Sequence, residues 1–338
     1  MSNNDLILDG ASILVTGATG TVGGSVIKAL IQNPHVSKII IFSRDEFKQH
    51  AFREELPEDT RLRWFLGDVR DLDRLKLAMH GVTHVIHAAA LKQVDAGEYN
   101  PTEFIKTNVQ GSLNVIDAAI FAGIRNVLAI STDKASSPSS LYGATKLTAD
   151  KLFISANAYG QPRGTIFSVV RFGNIAGSRG SIVPTIYKLT STGAPIPITD
   201  PEMTRFWMKK EDAANFILDS FRFMCGGELF VPRIPSLKLG TLIQGLAPNS
   251  KLVSVGLRPG EKMHEQMISE EESIRTLFAE GRFIVIPDGW EYDRNHLNVT
   301  QSPLGLGEAY RSETNDYWIH PSEVAEFFGL EIGEGDKK

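Results

Sequence analysis

Residues 15–26 read VTGATGTVGGSV, and this stretch decides the fold. An apolar run, SILVTG at 12–17, leads into it and a helical pattern leaves it. Gly17, Gly20 and Gly23 therefore mark a passage from strand to helix. Glycine permits the tight turn, and its missing Cβ lets the backbone approach a pyrophosphate at the helix N-terminus. Outward from here the alternation continues. KIIIFS at 38–43 is another apolar run of the kind that parallel strands buried on both faces require. RLRWFLGD at 61–68, THVIHAAA at 83–90, NVLAIS at 126–131 and TIFSVVRFGN at 165–174 extend the series. Helical patterns lie between, as at 101–123, where Phe104, Ile105, Val109, Leu113 and Ile116 are expected on one face.

Strands and helices in this order imply an α/β fold, a Rossmann-type doubly wound parallel sheet. After Asn174 the chain turns rich in Gly, Pro, Ser and Thr, which implies a smaller, interleaved α/β substrate-binding domain. The expected division is 10–174 for the dinucleotide, with 205–232 returning to it, and 175–204 with 233–330 for the substrate. The terminal GEGDKK is expected to fray.

Composition excludes several classes. A net charge of -5 with no Lys/Arg block gives nucleic acid no electrostatic footing, so an anionic ligand must be met by a few placed cations. No run reaches the ~18 apolar residues of a membrane span. MSNNDLILDG lacks the basic flank and apolar core of a secretion signal. The single cysteine, Cys225, can form no internal disulfide and reads as a packing residue in a reducing compartment. The chain reads as cytoplasmic, with no membrane or nucleic-acid partner and no metal site.

The residues after the second strand bear on which dinucleotide is bound. Ser43, Arg44 and Lys48 offer a hydroxyl and two cations, which suit a ribose 2′-phosphate and hence NADP. Asp45 could still reach a ribose, and the two cations could be a solvated rim. Asp68, ending the third strand run, is placed for the adenine edge or as a helix cap. In STDKASSPSSLYGATK, 131–146, Tyr142 and Lys146 are one helical turn apart and share a face. A nearby ammonium favours the phenolate, which makes Tyr142 a base for a sugar hydroxyl as hydride leaves its carbon. Thr132 closes the preceding strand.

Jointly, SRDEFKQ, AAALKQVDAGEYNP, TNVQGSLNV, STDKASSPSSLYGATK, RFGNIAGSRGSIVP, EMTRFWM, GELFVPRIPS and GLRPGEKMHE resemble the extended short-chain dehydrogenase/reductases. More narrowly, they resemble the inverting UDP-N-acetylglucosamine 4,6-dehydratases that open pseudaminic-acid-type nonulosonate biosynthesis. The loop differs in carrying Thr21-Val22-Gly23 where that family usually has Ser-Phe-Gly. The resemblance implies a catalytic set of Thr132, Asp133, Lys134, Tyr142 and Lys146. It implies a tightly bound NADP on Gly17, Thr19, Gly20, Thr21, Val22, Ser43, Arg44, Lys48, Asp68, Val69, Ala88, Ala89, Lys92, Asn108, Tyr142 and Lys146. Lys92, Asn174, Ser181, Val183, Thr199, Arg205, Arg258 and Glu261 would meet UDP-N-acetylglucosamine, and the enzyme would be a homo-oligomer. Retaining sugar dehydratases use an Asp-Glu pair where this chain has Asp133-Lys134. The resemblance assigns C5 deprotonation to Lys134 and help at the 6-hydroxyl to Asp133. Neutralising a free lysine at pH 7 costs about 4.6 kcal/mol, and sequence leaves open whether burial, Lys146 or Asp133 dominates its ionisation. A UDP-sugar 4-epimerase and a non-catalytic NADP-binding regulator are the alternatives. Epimerases commonly carry a small hydroxyl residue at position 133, and the regulators lose the Tyr or the Lys.

Overall fold

β1 (Ser12–Thr16) is buried at every position. A strand of this kind must be covered on both faces and paired on both edges. β2 (Lys38–Ser43) and β3 (Leu62–Leu66) lie to one side of it; β4 (His84–His87), β5 (Asn126–Thr132) and β6 (Ile166–Phe172) lie to the other, all parallel. The order β3-β2-β1-β4-β5-β6 is that of a doubly wound sheet, reversing direction between β1 and β4. The computed structural model describes residues 7–178, 180–289 and 297–329. The GEGDKK tail lies outside them. Among the described residues no helix is long and apolar enough to cross a membrane.

Past Phe172 the chain leaves this sheet and comes back to it. β7 (Asn174–Ile175) starts a small second sheet, and β8 (Ile196–Ile198) follows the helix Ile182–Ser191. β9 (Thr204–Met208) pairs parallel with β7. The helix Lys210–Ser220 then buries Ala213, Ala214, Ile217 and Leu218 in the main core, and β10 (Leu229–Pro232) pairs with β6. β11 (Ser236–Lys238) completes the sheet β11-β9-β7, and β12 (Leu252–Ser254) pairs with β8. After β13 (Gln266–Ile268), the strands β14 (Thr276–Ala279), β15 (Arg282–Val285) and β16 (Val299–Thr300) extend the large sheet antiparallel beyond β10. β17 (Tyr310–Arg311) returns to pair with β13.

This corrects the expected division at two places. β14, β15 and β16, expected in the substrate domain, cover the open edge of β10, whose backbone groups would otherwise go unpaired. Their hairpin turns on Glu280 and Gly281, at φ of 48° and 76°, the left-handed pair that a tight type I′ turn requires. Residues 204–208, most of them expected in the main domain, lie instead in the small sheet, where Trp207 is buried with Val183, Leu237, Leu242 and Ile243 in a separate core. A third difference is within 101–123. A π-helical turn at Ile105–Gln110 adds a residue to the period, so the expected apolar face breaks and Ile105 is exposed while Thr107 and Asn108 turn inward.

Candidate active site

The carboxyl ends of β1, β2, β3 and β4 open onto a cleft of about 200 Å³ at the switch point of the sheet. Gly17, Thr19, Gly20, Ser43, Arg44, Lys48, Asp68, Val69, Ala88 and Ala89 line it, together with Phe42, Asp45, Gly67, Ala90, Leu91 and Thr107, which the sequence reading had not chosen as ligands. Gly17 sits at φ 65°, and an added Cβ there would lie 2.7 Å from the Ala89 nitrogen. An added Cβ on Gly23 would lie 2.5 Å from the Gly17 carbonyl oxygen, so the helix Thr21–Gln32 packs directly on the turn. Gly20 caps that helix and has no side chain to occupy its N-terminus. Thr21 and Val22 belong to the helix's first turn and are not among the cleft-lining residues.

At the far end of the cleft Ser43 is buried, its hydroxyl and carbonyl held by the Gln49 side chain at 3.0 Å. Lys48 pairs with Asp45 at 2.9 Å, and Arg44 reaches Asp68 at 3.8 Å while remaining half exposed. Asp68 is not the helix cap, since Asp71 holds that position. Burial works against its ionisation, but hydrogen bonds from Arg70 outweigh this and hold the carboxyl below its ordinary range.

β5 delivers the chemical groups. Its last residue, Thr132, donates to the Asp133 Oδ1 at 2.9 Å, and a single 3-10 turn, Asp133–Ala135, follows. The Lys134 Nζ lies 3.2 Å from that same Oδ1 and 2.9 Å from the Glu265 Oε1. Tyr142, on the next helix, is buried. Burial pushes its phenol up to about 12, against the pull of the Lys134 charge. The leading cation at the phenol is thus Lys134. Lys146, one turn on, donates instead to the Ile130 carbonyl at 2.7 Å, and burial lowers its ionisation against Asp150. Burial likewise raises the Asp133 carboxyl, with Lys134 opposing and Glu265 adding to the rise. Lys134 resolves the opposite way. Burial disfavours its charge, yet Asp133 and Glu265 together raise it above the ordinary lysine value, so it rests as an ammonium.

The second layer of the site comes from β9 and the turn before β13. Arg205 donates to the carbonyls of Thr204, Met263 and Lys262 and lies 3.8 Å from Glu265. Glu261 accepts from the Thr199 hydroxyl and the Arg258 backbone at 3.3 Å each. Arg258 is more than half exposed, with Asp95 at 3.9 Å. Lys262 donates to the Ser136 carbonyl, which ties this turn to the catalytic loop. Asn174 opens β7, and Ser181 caps the helix Ile182–Ser191 with a buried hydroxyl that has no hydrogen-bond partner among the described residues. Lys92 is exposed just past Leu91 at the cleft mouth.

Two expected ligands have other places. Asn108 is buried, its amide spent on both backbone groups of Leu91 and on the Thr145 hydroxyl, so it braces the cleft rather than facing it. Val183 packs in the smaller core and has no open face. The group missed altogether is Glu265. It ends the stretch GLRPGEKMHE, but nothing local sets it apart from Glu261; its partner, Lys134, is 131 residues away in sequence.

This geometry has counterparts among known proteins. A family model described as polysaccharide biosynthesis protein matches residues 13–287. Two Campylobacter jejuni proteins named UDP-N-acetylglucosamine 4,6-dehydratase (inverting) are similar over their length. The one from strain 81-176 is 45% identical, covering 94% of this chain and 97% of its own; the second is 46% identical, covering 93% and 96%. Pen from Bacillus thuringiensis superposes with a TM-score of 0.87 at 34% identity, over 96% of this chain and 99% of its own. The Streptomyces venezuelae dTDP-glucose 4,6-dehydratase DesIV, solved with NAD and TYD bound, shares the fold at a TM-score of 0.68 and 23% identity, over 75% and 86% of the two chains.

Proposed function

We propose a function from one premise: the chain belongs to the family described as polysaccharide biosynthesis protein. It is an inverting UDP-N-acetylglucosamine 4,6-dehydratase, which oxidises C4, loses water across C5 and C6 and returns hydride to C6. The product is UDP-2-acetamido-2,6-dideoxy-L-arabino-hexos-4-ulose. The observation that carries the reading is the Asp133–Lys134 pair set beside Tyr142 at the end of β5. A 4-epimerase rotates its keto sugar and needs no acid and base for C5 and C6.

The cleft fits a nicotinamide dinucleotide: side chains at Gly17 and Gly23 would fill it or push the helix away, and the helix N-terminus is capped by glycine. Ser43, Arg44 and Lys48 favour NADP. When bound, the dinucleotide supplies a reversible hydride store. The remaining work is done by this chain. Tyr142 takes the 4-hydroxyl proton, with Lys134 and the Thr132 hydroxyl opposing the effect of burial on the phenol. The resulting 4-ketone acidifies C5–H. Lys134 takes that proton and the bonding pair moves into the enolate. Asp133, whose burial favours the protonated form, donates to the departing 6-hydroxyl, and water leaves. Lys134 can do this only after passing its proton to Asp133, 3.2 Å away, which leaves the amine neutral as the C5 base and makes Asp133 the acid for the 6-hydroxyl. Arg205 and Arg258 meet the diphosphate and Glu261 a ribose. Lys92, Asn174, Ser181 and Thr199 complete the sugar-nucleotide contacts.

Incubation with UDP-N-acetylglucosamine tests the reading. Mass spectrometry should report loss of one water, and NMR of the earliest product should give the L-arabino configuration at C5. A D-xylo product at that point would remove inversion, and an unchanged mass with C4 inverted would make the enzyme an epimerase.

A further inference from the structure

We propose that Glu265 is the positioning residue of the Lys134 amine, fixing both where that amine lies and whether it carries a proton when the sugar arrives. Glu265 is 3% exposed, and its Oε1 is 2.9 Å from the Lys134 Nζ. Its Oε2 is buried with no hydrogen-bond partner among the described residues, as is the Asp133 Oδ2. The backbone N–H of Glu265 donates to the Ser312 hydroxyl, so the carboxylate stands on a fixed base at the start of β13. The ammonium thus bridges two carboxylates from segments far apart in the chain, while only Asp133 is engaged by the chemistry at C6. The other charged and titratable groups around the pair are Tyr142 on the following helix, Arg205 on β9, and Lys262 and His264 on the approach to β13. Burial opposes the Glu265 charge, but Lys134 and Arg205 outweigh it and lower the carboxyl, so it remains an anion facing the amine.

The inference rests on the reading of Lys134 as the C5 base, and the experiment separates the two. Trace acetylation of the full, cofactor-bearing chain with acetic anhydride, across pH 7 to 11, reports the Lys134 amine by mass spectrometry. Glu265→Gln keeps the shape and removes the charge, so the labelling midpoint of Lys134 should fall by about one pH unit or more. Glu265→Asp keeps the charge and should hold the midpoint near that of the native chain. An unmoved midpoint in Glu265→Gln overturns the proposal. Turnover of UDP-N-acetylglucosamine supplies the second readout. The rising limb of kcat should move down with the midpoint in Glu265→Gln, with KM constant within about two-fold. A moving midpoint with a stationary limb supports the hold of Glu265 on the amine and removes Lys134 from C5.

Discussion

Tyr142 lies in surroundings that oppose its ionisation, so the proposed role as base depends on the few groups that favour the phenolate. Replacing it with Phe deletes one oxygen from a packed ring, so the fold and the UDP-sugar Kd should change little. Turnover should fall by about 10²–10⁴-fold, the usual worth of one general base. A Phe variant with a near-native dehydration rate would sink the assignment. Lys134→Ala should stop dehydration while leaving the Tyr142 oxygen in place. At the other end of the cleft, Arg44→Asp reverses a charge beside Asp68. NADP affinity should drop on the order of ten-fold more than NAD affinity, and cofactor titration reads the difference. Equal losses would place Arg44 in the solvated rim. Tyr142, Lys146 and Thr132 are legible in the sequence because helical spacing and a strand end bring them together locally. Glu265 is not, since what gives it meaning is a lysine reached only through the tertiary fold.

Among the elements, the turn from β1 into the helix Thr21–Gln32 has little room. Gly23→Ala would set a methyl against the Gly17 carbonyl and the Ala18 Cα, both backbone atoms that cannot swing aside. Overpacking of this kind costs about 1–3 kcal/mol. The variant should therefore purify with little dinucleotide and a lowered Tm, and an ultraviolet spectrum of the isolated protein checks this. Such a glycine is readable from sequence because strand, turn and helix are contiguous. The π-helical turn at Ile105–Gln110 is not. Its extra residue is local, but an ordinary helical period passes through IKTNVQ without objection. Its reason is tertiary: Asn108 must turn inward to hold Leu91 at one end and Thr145 at the other. The hairpin on Glu280–Gly281 escapes for a similar cause. That it closes β10 depends on which sheet edge remains open.

For the molecule as a whole, two histidines in β4 contribute to the response to acid. Burial brings His87 down to about 3 and His84 to about 4, from an unfolded value near 6.5. Each folded imidazole refuses a proton the unfolded chain accepts, so its stability contribution is complete above about pH 6.5 and lost as pH falls toward the folded value. Between pH 6.5 and 5 the cost is about 2 kcal/mol for each. His87→Gln should remove about 2 kcal/mol of that decline, measured by chemical denaturation at the two pH values. A decline as steep as that of the native chain would contradict the burial argument. The interleaved path of the chain has a further consequence, for synthesis at the ribosome. The order β3-β2-β1-β4-β5-β6 is complete once Phe172 has emerged, whereas the carboxylate opposite Lys134 arrives 131 residues after that lysine. A chain cut short before Glu265 would therefore leave the Lys134 amine with Asp133 as its one counter-charge of this pair.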